Sequence, residues 1–139
     1  MSIVGRWLPG ARVLDLFAGT GALGLEALSR GAEVVDFVES SAASIALLRE
    51  NVATLGAGPA AVIHRADALR FVERLEAHTY DVAFADPPYD LGVATRLAEH
   101  WLATPFAETL GIEHRFNEML PGDGERRKYG GTVVTLLRV

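Results

Sequence analysis

The stretch Val13-Leu-Asp-Leu-Phe-Ala-Gly-Thr-Gly-Ala-Leu-Gly24 constrains this chain more than any other. Val13, Leu14, Leu16 and Phe17 read as a buried strand, which Gly19 and Gly21 interrupt. From Ala22 the spacing of Leu23, Ala27 and Leu28 is helical, and it stops at Gly31, a good left-handed C-terminal cap. A strand, a glycine turn and a helix in that order aim backbone N–H groups and a helix N-terminus at a ligand. Gly19, Gly21 and Gly24 satisfy G-x-G-x-x-G, and Glu39 ends the next apolar run about 20 residues on, where a ribose-binding acid belongs.

The fingerprint alone does not say which nucleotide is bound. A pyrophosphate is anionic and is repelled by a carboxylate in the turn, whereas a sulfonium cofactor carries a positive charge and an ammonium group that a carboxylate attracts. Asp15 stands in the strand just before the turn, which favours S-adenosylmethionine (SAM) over a nicotinamide or flavin dinucleotide.

A length of 139 residues suits a single domain, 1–139, able to bury a sizeable core. No apolar run approaches a membrane span and the first residues do not form a signal peptide, so a cytoplasmic location is the default expectation. The absence of cysteine excludes disulfides, thiolate metal sites and a cysteine nucleophile. Methylation of a pyrimidine carbon generally needs such a nucleophile, so any methyl transfer here goes to an atom that already has a lone pair. A net charge of −5 gives the whole domain no electrostatic case for binding nucleic acid, although a local patch remains open.

Residues 1–12 form a short lead-in. Val34 to Val38 is the expected second strand, its Asp36 given no role beyond a place near a sheet edge. Ser40 or Ser41 can cap the next helix, whose stripe is Ile45, Leu48, Val52 and Leu55. Ala61 to His64 is a third strand, followed by Asp67 and a helical segment through Leu69, Val72 and Leu75. Val82 to Ala85 reads as a central parallel strand running into Asp86-Pro-Pro-Tyr89, and Leu91 to Leu102 as a helix. Gly111 to His114 is a poor candidate for a fifth strand. Arg126 to Tyr129 and Thr132 to Leu137 flank Gly130-Gly131 as an antiparallel hairpin. The alternation implies a Rossmann-like α/β fold with helices on both faces of a mostly parallel sheet.

Ligands of such sheets bind beyond the C-terminal strand ends, where this sequence puts Asp15, Glu39, Asp67 and Asp86. Four acids suit an ammonium, two ribose hydroxyls, an adenine amine and an acceptor amine. Asp86, Pro87, Pro88 and Tyr89 make the most specific motif. The prolines stiffen the loop and leave carbonyl oxygens free to accept. An exocyclic base amine is a poor nucleophile because its lone pair is delocalised. With its N–H groups held by the Asp86 carboxylate and the Pro87 carbonyl, and its ring stacked on Tyr89, the lone pair faces the methyl donor.

The first motif as far as Ala32, Phe37-Val-Glu39, Asn51, Asp81 to Tyr89 and Arg126 to Leu137 resemble the bacterial RsmD family. Those are SAM-dependent methyltransferases acting on the N2 amine of one guanine in 16S ribosomal RNA. The resemblance implies a class I methyltransferase fold of seven strands. It implies that Asp15, Gly19 and Gly21, with Ala18 alongside, lie at the methionine part of SAM. Glu39 would lie at the ribose, with Ser40 also among the cofactor-binding residues, Asp67 and Ala68 at the adenine, and Asp86 to Tyr89 at the guanine. The implied partner is ribosomal RNA or the small subunit, with no membrane and no metal. Most of the family's basic N-terminal extension is expected to be absent, so RNA affinity should be weak.

Blander readings stand beside these. Glu39 and Asp67 are also ordinary helix-start acids, Asp86 an ordinary capping acid, and Glu26 a solvated helix residue. His64, His78, His100 and His114 show no ligand spacing and read as surface or satisfied residues, and Trp101 reads as core. Arg126, Arg127 and Lys128 are either a solvated hairpin face or an RNA contact. Alternative functions are adenine N6 methylation of DNA or RNA, a SAM-binding module without turnover, and a dinucleotide-dependent oxidoreductase.

Overall fold

The structure, a computed structural model, describes residues 2–89 and 91–139. Strands β1 (Arg12–Leu16), β2 (Val34–Glu39), β3 (Ala61–Arg65), β4 (Tyr80–Ala85), β5 (Ala107–Arg115), β6 (Glu125–Tyr129) and β7 (Thr132–Arg138) form one sheet in the order β3-β2-β1-β4-β5-β7-β6. The first five run parallel, and β7 is antiparallel to both β5 and β6. The order reverses between β1 and β4, which opens a crevice beyond their C-terminal ends.

Side chains alternate across the strands and so divide the core in two. Leu14, Leu16, Val38, Ala83 and Ala85 face α3 (Ala68–Glu73) and α4 (Val93–Ala103), packing on Val72, Leu97 and Trp101. Val13, Val35, Phe37, Val82 and Phe84 face α1 (Ala22–Ser29) and α2 (Ala42–Thr54), packing on Leu25, Leu48 and Val52. The lead-in is fastened by Trp7, whose ring lies between the guanidinium groups of Arg6 and Arg138 at 4.4 and 4.6 Å.

Four expectations need correction. The fifth strand is not meagre: β5 has nine residues and sits between β4 and β7. Its burial comes from residues that hydropathy discounts. His114 is fully buried because Nδ1–H donates to Arg115 O (2.9 Å) and Nε2 accepts from the Thr135 hydroxyl (2.6 Å), while Gly111 leaves room for Leu136 and Val134 to close over the strand. Asp36 lies near the sheet edge as expected, one strand in, but it has a structural role, accepting the Tyr80 hydroxyl at 2.5 Å. Leu55 falls just past α2 and is exposed, so it leaves the stripe. Phe17 is not strand but adopts a φ of 59°, a left-handed conformation in which the chain leaves β1.

Gly24 is required by packing rather than by backbone freedom. A Cβ there would overlap the Phe37 ring and lie 2.9 Å from Val35 Cγ1, so only glycine lets α1 approach β2 this closely. Gly24→Ala should therefore destabilise the fold by about 1–3 kcal/mol, the usual cost of overpacking, measured by urea unfolding.

Candidate active site

The glycine turn is held by carboxylates of the protein itself. Gly19 N–H donates to Glu39 Oε1 at 2.8 Å, and Gly24 N–H, in the first turn of α1, donates to Asp15 Oδ2 at 3.0 Å. Gly19 (φ 57°) and Gly21 (φ 84°) both take left-handed conformations that other residues adopt at a cost. Ala18 N–H bonds Val38 O, and the Asn51 amide donates to Thr20 O, so β2 and α2 brace the turn from outside. Glu39 is also anchored by Ser41 N–H at 2.8 Å. Ser41, not Ser40, caps α2 by accepting from Ser44 N–H.

Asp15, Glu39 and Asp86 come together at the crevice. Asp15 is 1% exposed, and burial pushes its carboxyl up to about 7, against the Gly24 hydrogen bond that lowers it, with the charges of Asp86 and Glu39 adding to the rise. Asp86 is also shifted upward, by desolvation first and then by the charge of Glu113. Asp67 stands further out, at the end of edge strand β3, where its Oδ2 caps α3 by accepting from Arg70 N–H; Ala68 begins that helix and is buried. Among the described residues, no group of three or more His, Cys, Asp or Glu could hold a metal ion.

The loop after β4 docks on the far half of the sheet. Pro87 is buried and Pro88 exposed. The Tyr89 hydroxyl lies 3.2 Å from Thr132 Oγ1, which donates onward to His114 O, and the Arg115 guanidinium lies 4.9 Å from the centre of the Tyr89 ring. Glu113, Arg115 and Thr132 escaped sequence reasoning. The hairpin turn at Gly130-Gly131 was a signal for Thr132, since the turn carries it to the same rim as the end of β5. Glu113 and Arg115 had no place while β5 had none.

The basic hairpin residues divide. Arg126 is engaged internally, donating from Nη2 to Phe116 O at 2.6 Å and from Nη1 to Met119 Sδ. Arg127 pairs with Glu125 at 2.9 Å, and Lys128 is exposed.

Residues 1–136 match the family described as conserved hypothetical protein 95. The chain belongs to that family. Its relatives include the putative rRNA methyltransferase YlbH of Bacillus subtilis, 39% identical over 63% of this chain and 49% of the relative. The ribosomal RNA small subunit methyltransferase D of Escherichia coli is 42% identical over 60% of this chain and 41% of the relative. Membership thus agrees with the RsmD resemblance of the motifs. The chain spans about half, or less, of the length of these curated relatives. The putative methyltransferase yhhF of E. coli superposes with a TM-score of 0.82 at 27% identity, covering 97% of this chain and 78% of that structure. The family's fold is the class I methyltransferase fold, and the seven-stranded sheet with its antiparallel C-terminal pair is that fold.

Proposed function

We propose that residues 1–139 act as one domain that transfers a methyl group from SAM to an exocyclic base amine, guanine N2 of small-subunit ribosomal RNA, in the cytoplasm where ribosomes assemble. The observation that carries this reading is the pairing of Gly19 and Gly24 N–H groups with Glu39 and Asp15. In a dinucleotide site such N–H groups cradle a pyrophosphate. Here two carboxylates answer them, so the turn repels an anion and suits a cationic ligand.

The donor set fits SAM. Asp15 would face the methionine ammonium, with Ala18, Gly19 and Gly21 shaping the turn around it. Glu39 would accept the ribose hydroxyls through lone pairs left over from Gly19 and Ser41, with Ser40 beside it, and Asp67 and Ala68 would flank the adenine. When bound, SAM supplies an electrophilic methyl group on sulfur. Asp86 and the Pro87 carbonyl would accept the two N–H groups of the base amine, which turns the nitrogen lone pair toward the crevice. Tyr89, its hydroxyl tied to Thr132 and one face near Arg115, would set the plane of the base. Orientation is then the main catalytic contribution, with no obligatory general base. The relatives named as rRNA methyltransferases support an RNA substrate.

Calorimetry with SAM and with NAD, followed by methylation of naked 16S RNA and of small subunits, tests the reading. SAM should bind and NAD should not, and the reverse would overturn it. Glu39→Ala should weaken SAM binding by about 1.5–3 kcal/mol, the range for hydrogen bonds to a charged group. An unchanged affinity would remove Glu39 from the site.

A further inference from the structure

Beside the acceptor loop the surface turns apolar. Phe116 is 64% exposed and Met119 71%, on the segment joining β5 to β6, and Leu91, two residues past Tyr89, is 66% exposed. Exposed apolar side chains grouped beside a site mark interaction surfaces, whereas single scattered ones are ordinary. Phe116 follows directly after Arg115, whose guanidinium lies near the Tyr89 ring. Phe116 is thus one residue along the chain from the side chain that borders the acceptor clamp. The segment is also held in place. The Arg126 guanidinium bonds both Phe116 O and Met119 Sδ, and the Thr95 hydroxyl reaches Glu118 Oε2 at 3.5 Å. Arg126 thus acts as a strut under this segment, giving two of its five N–H donors to it.

Charge points to the occupant. The chain carries a net −5 and Arg127 is paired with Glu125, so the cations beside this patch are chiefly Arg115, Arg126 and Lys128. An RNA strand held at such a surface draws on its bases as well as on these few charges, and aromatic stacking holds bases without sequence preference. Resting on the methyltransferase reading above, we infer that Phe116 and Met119, presented by Arg126, form a stacking platform for an unpaired nucleobase next to the base held at Asp86 to Tyr89.

The test uses the full chain and a short unstructured RNA carrying 2-aminopurine beside a guanine. Wild type should change the 2-aminopurine fluorescence on binding. Phe116→Ala, at an exposed position that leaves the core untouched, should remove that change and weaken RNA binding about ten-fold, in the range of a lost base–aromatic stack. SAM affinity should stay the same, and Phe116→Trp should restore RNA binding. Methylation should show the loss in KM rather than in kcat.

Salt dependence separates stacking from phosphate contact. Wild type should have a slope magnitude of about 3 or less, and Phe116→Ala should leave it unchanged. Arg126→Gln should weaken binding as Phe116→Ala does, without adding to it in the double variant and without changing the slope. A drop of about 0.7 in slope for Arg126→Gln would make Arg126 a phosphate contact and overturn the strut. Unchanged fluorescence and KM in Phe116→Ala, with wild type active, would overturn the platform. A wild type that stacks 2-aminopurine but methylates no RNA would instead sink the methyltransferase reading and leave the platform standing.

Discussion

Asp86→Ala is expected to leave SAM affinity within a few-fold of wild type and to slow methyl transfer by at least about 100-fold, because an orienting partner used in the transition state is lost. Asp86 directly follows Ala85, the last paired residue of β4, and is exposed, so its carboxylate is not part of the packed core. The substitution should therefore spare the fold. The clamp needs the ionised form to accept N–H groups. Since desolvation and Glu113 shift the Asp86 carboxyl upward, activity should fall on acidification at a higher pH than an ordinary carboxylate would give. Glu113→Gln should move that limb toward lower pH. Single-turnover rates across a pH series, with SAM affinity measured in parallel, check both points, and an equal loss of binding and rate would make Asp86 a cofactor residue.

Asp15→Asn should raise stability at pH 8 relative to wild type while weakening SAM binding. The Asp15 pKa rises from 3.8 to about 7 on folding, chiefly through burial. The native state therefore holds the proton more tightly than the unfolded chain, and the contribution of this group is fully favourable below about pH 4, declines as pH rises, and is lost above about pH 7. At about 1.36 kcal/mol per pKa unit the decline amounts to about 4 kcal/mol. Asparagine keeps an oxygen for the Gly24 N–H and has no proton to lose, so the stability difference between variant and wild type should grow with pH through this window. A cationic ligand favours the carboxylate. SAM affinity of the wild type should thus rise with pH up to about 7 and then level off, with proton release on binding visible in buffers of different ionisation enthalpy. A stability difference that is flat with pH would mean that Asp15 is already ionised in the free protein.

The local chemistry of the chain was legible wherever a residue acts through its own backbone. The strand, glycine turn and helix of residues 13–31 need left-handed glycines at Gly19, Gly21 and Gly31, and each has a positive φ. Gly130-Gly131 marked the hairpin, with Gly130 at a positive φ, and Val82 to Ala85 showed a doubly covered strand by its unbroken apolar run. At β5 this logic failed. Gly111 and His114 are small or polar, yet both are buried because Thr135, Leu136 and Val134 on β7 satisfy or cover them. A strand whose burial is supplied by a partner in sequence twenty residues away carries no hydropathy signal of its own.

Sequence by itself determined the fold class and the four acids at the strand ends, since each follows from residue type at a position that strand and helix periodicity locate, and its motifs carried the resemblance to the family. Tertiary structure alone decided what those acids touch. Glu39 and Asp15 meet the glycine-turn N–H groups, Glu113 acts on Asp86, and Arg115 and Thr132 meet Tyr89 only because β4 returns beside β1 and β7 folds back on β5. The same holds for Arg126, which its basic neighbours marked as a surface charge and which the fold turns into a support for Phe116 and Met119. Periodicity places a residue on its own strand or helix, but contacts between elements distant in sequence depend on strand order and register, which only the packed sheet specifies.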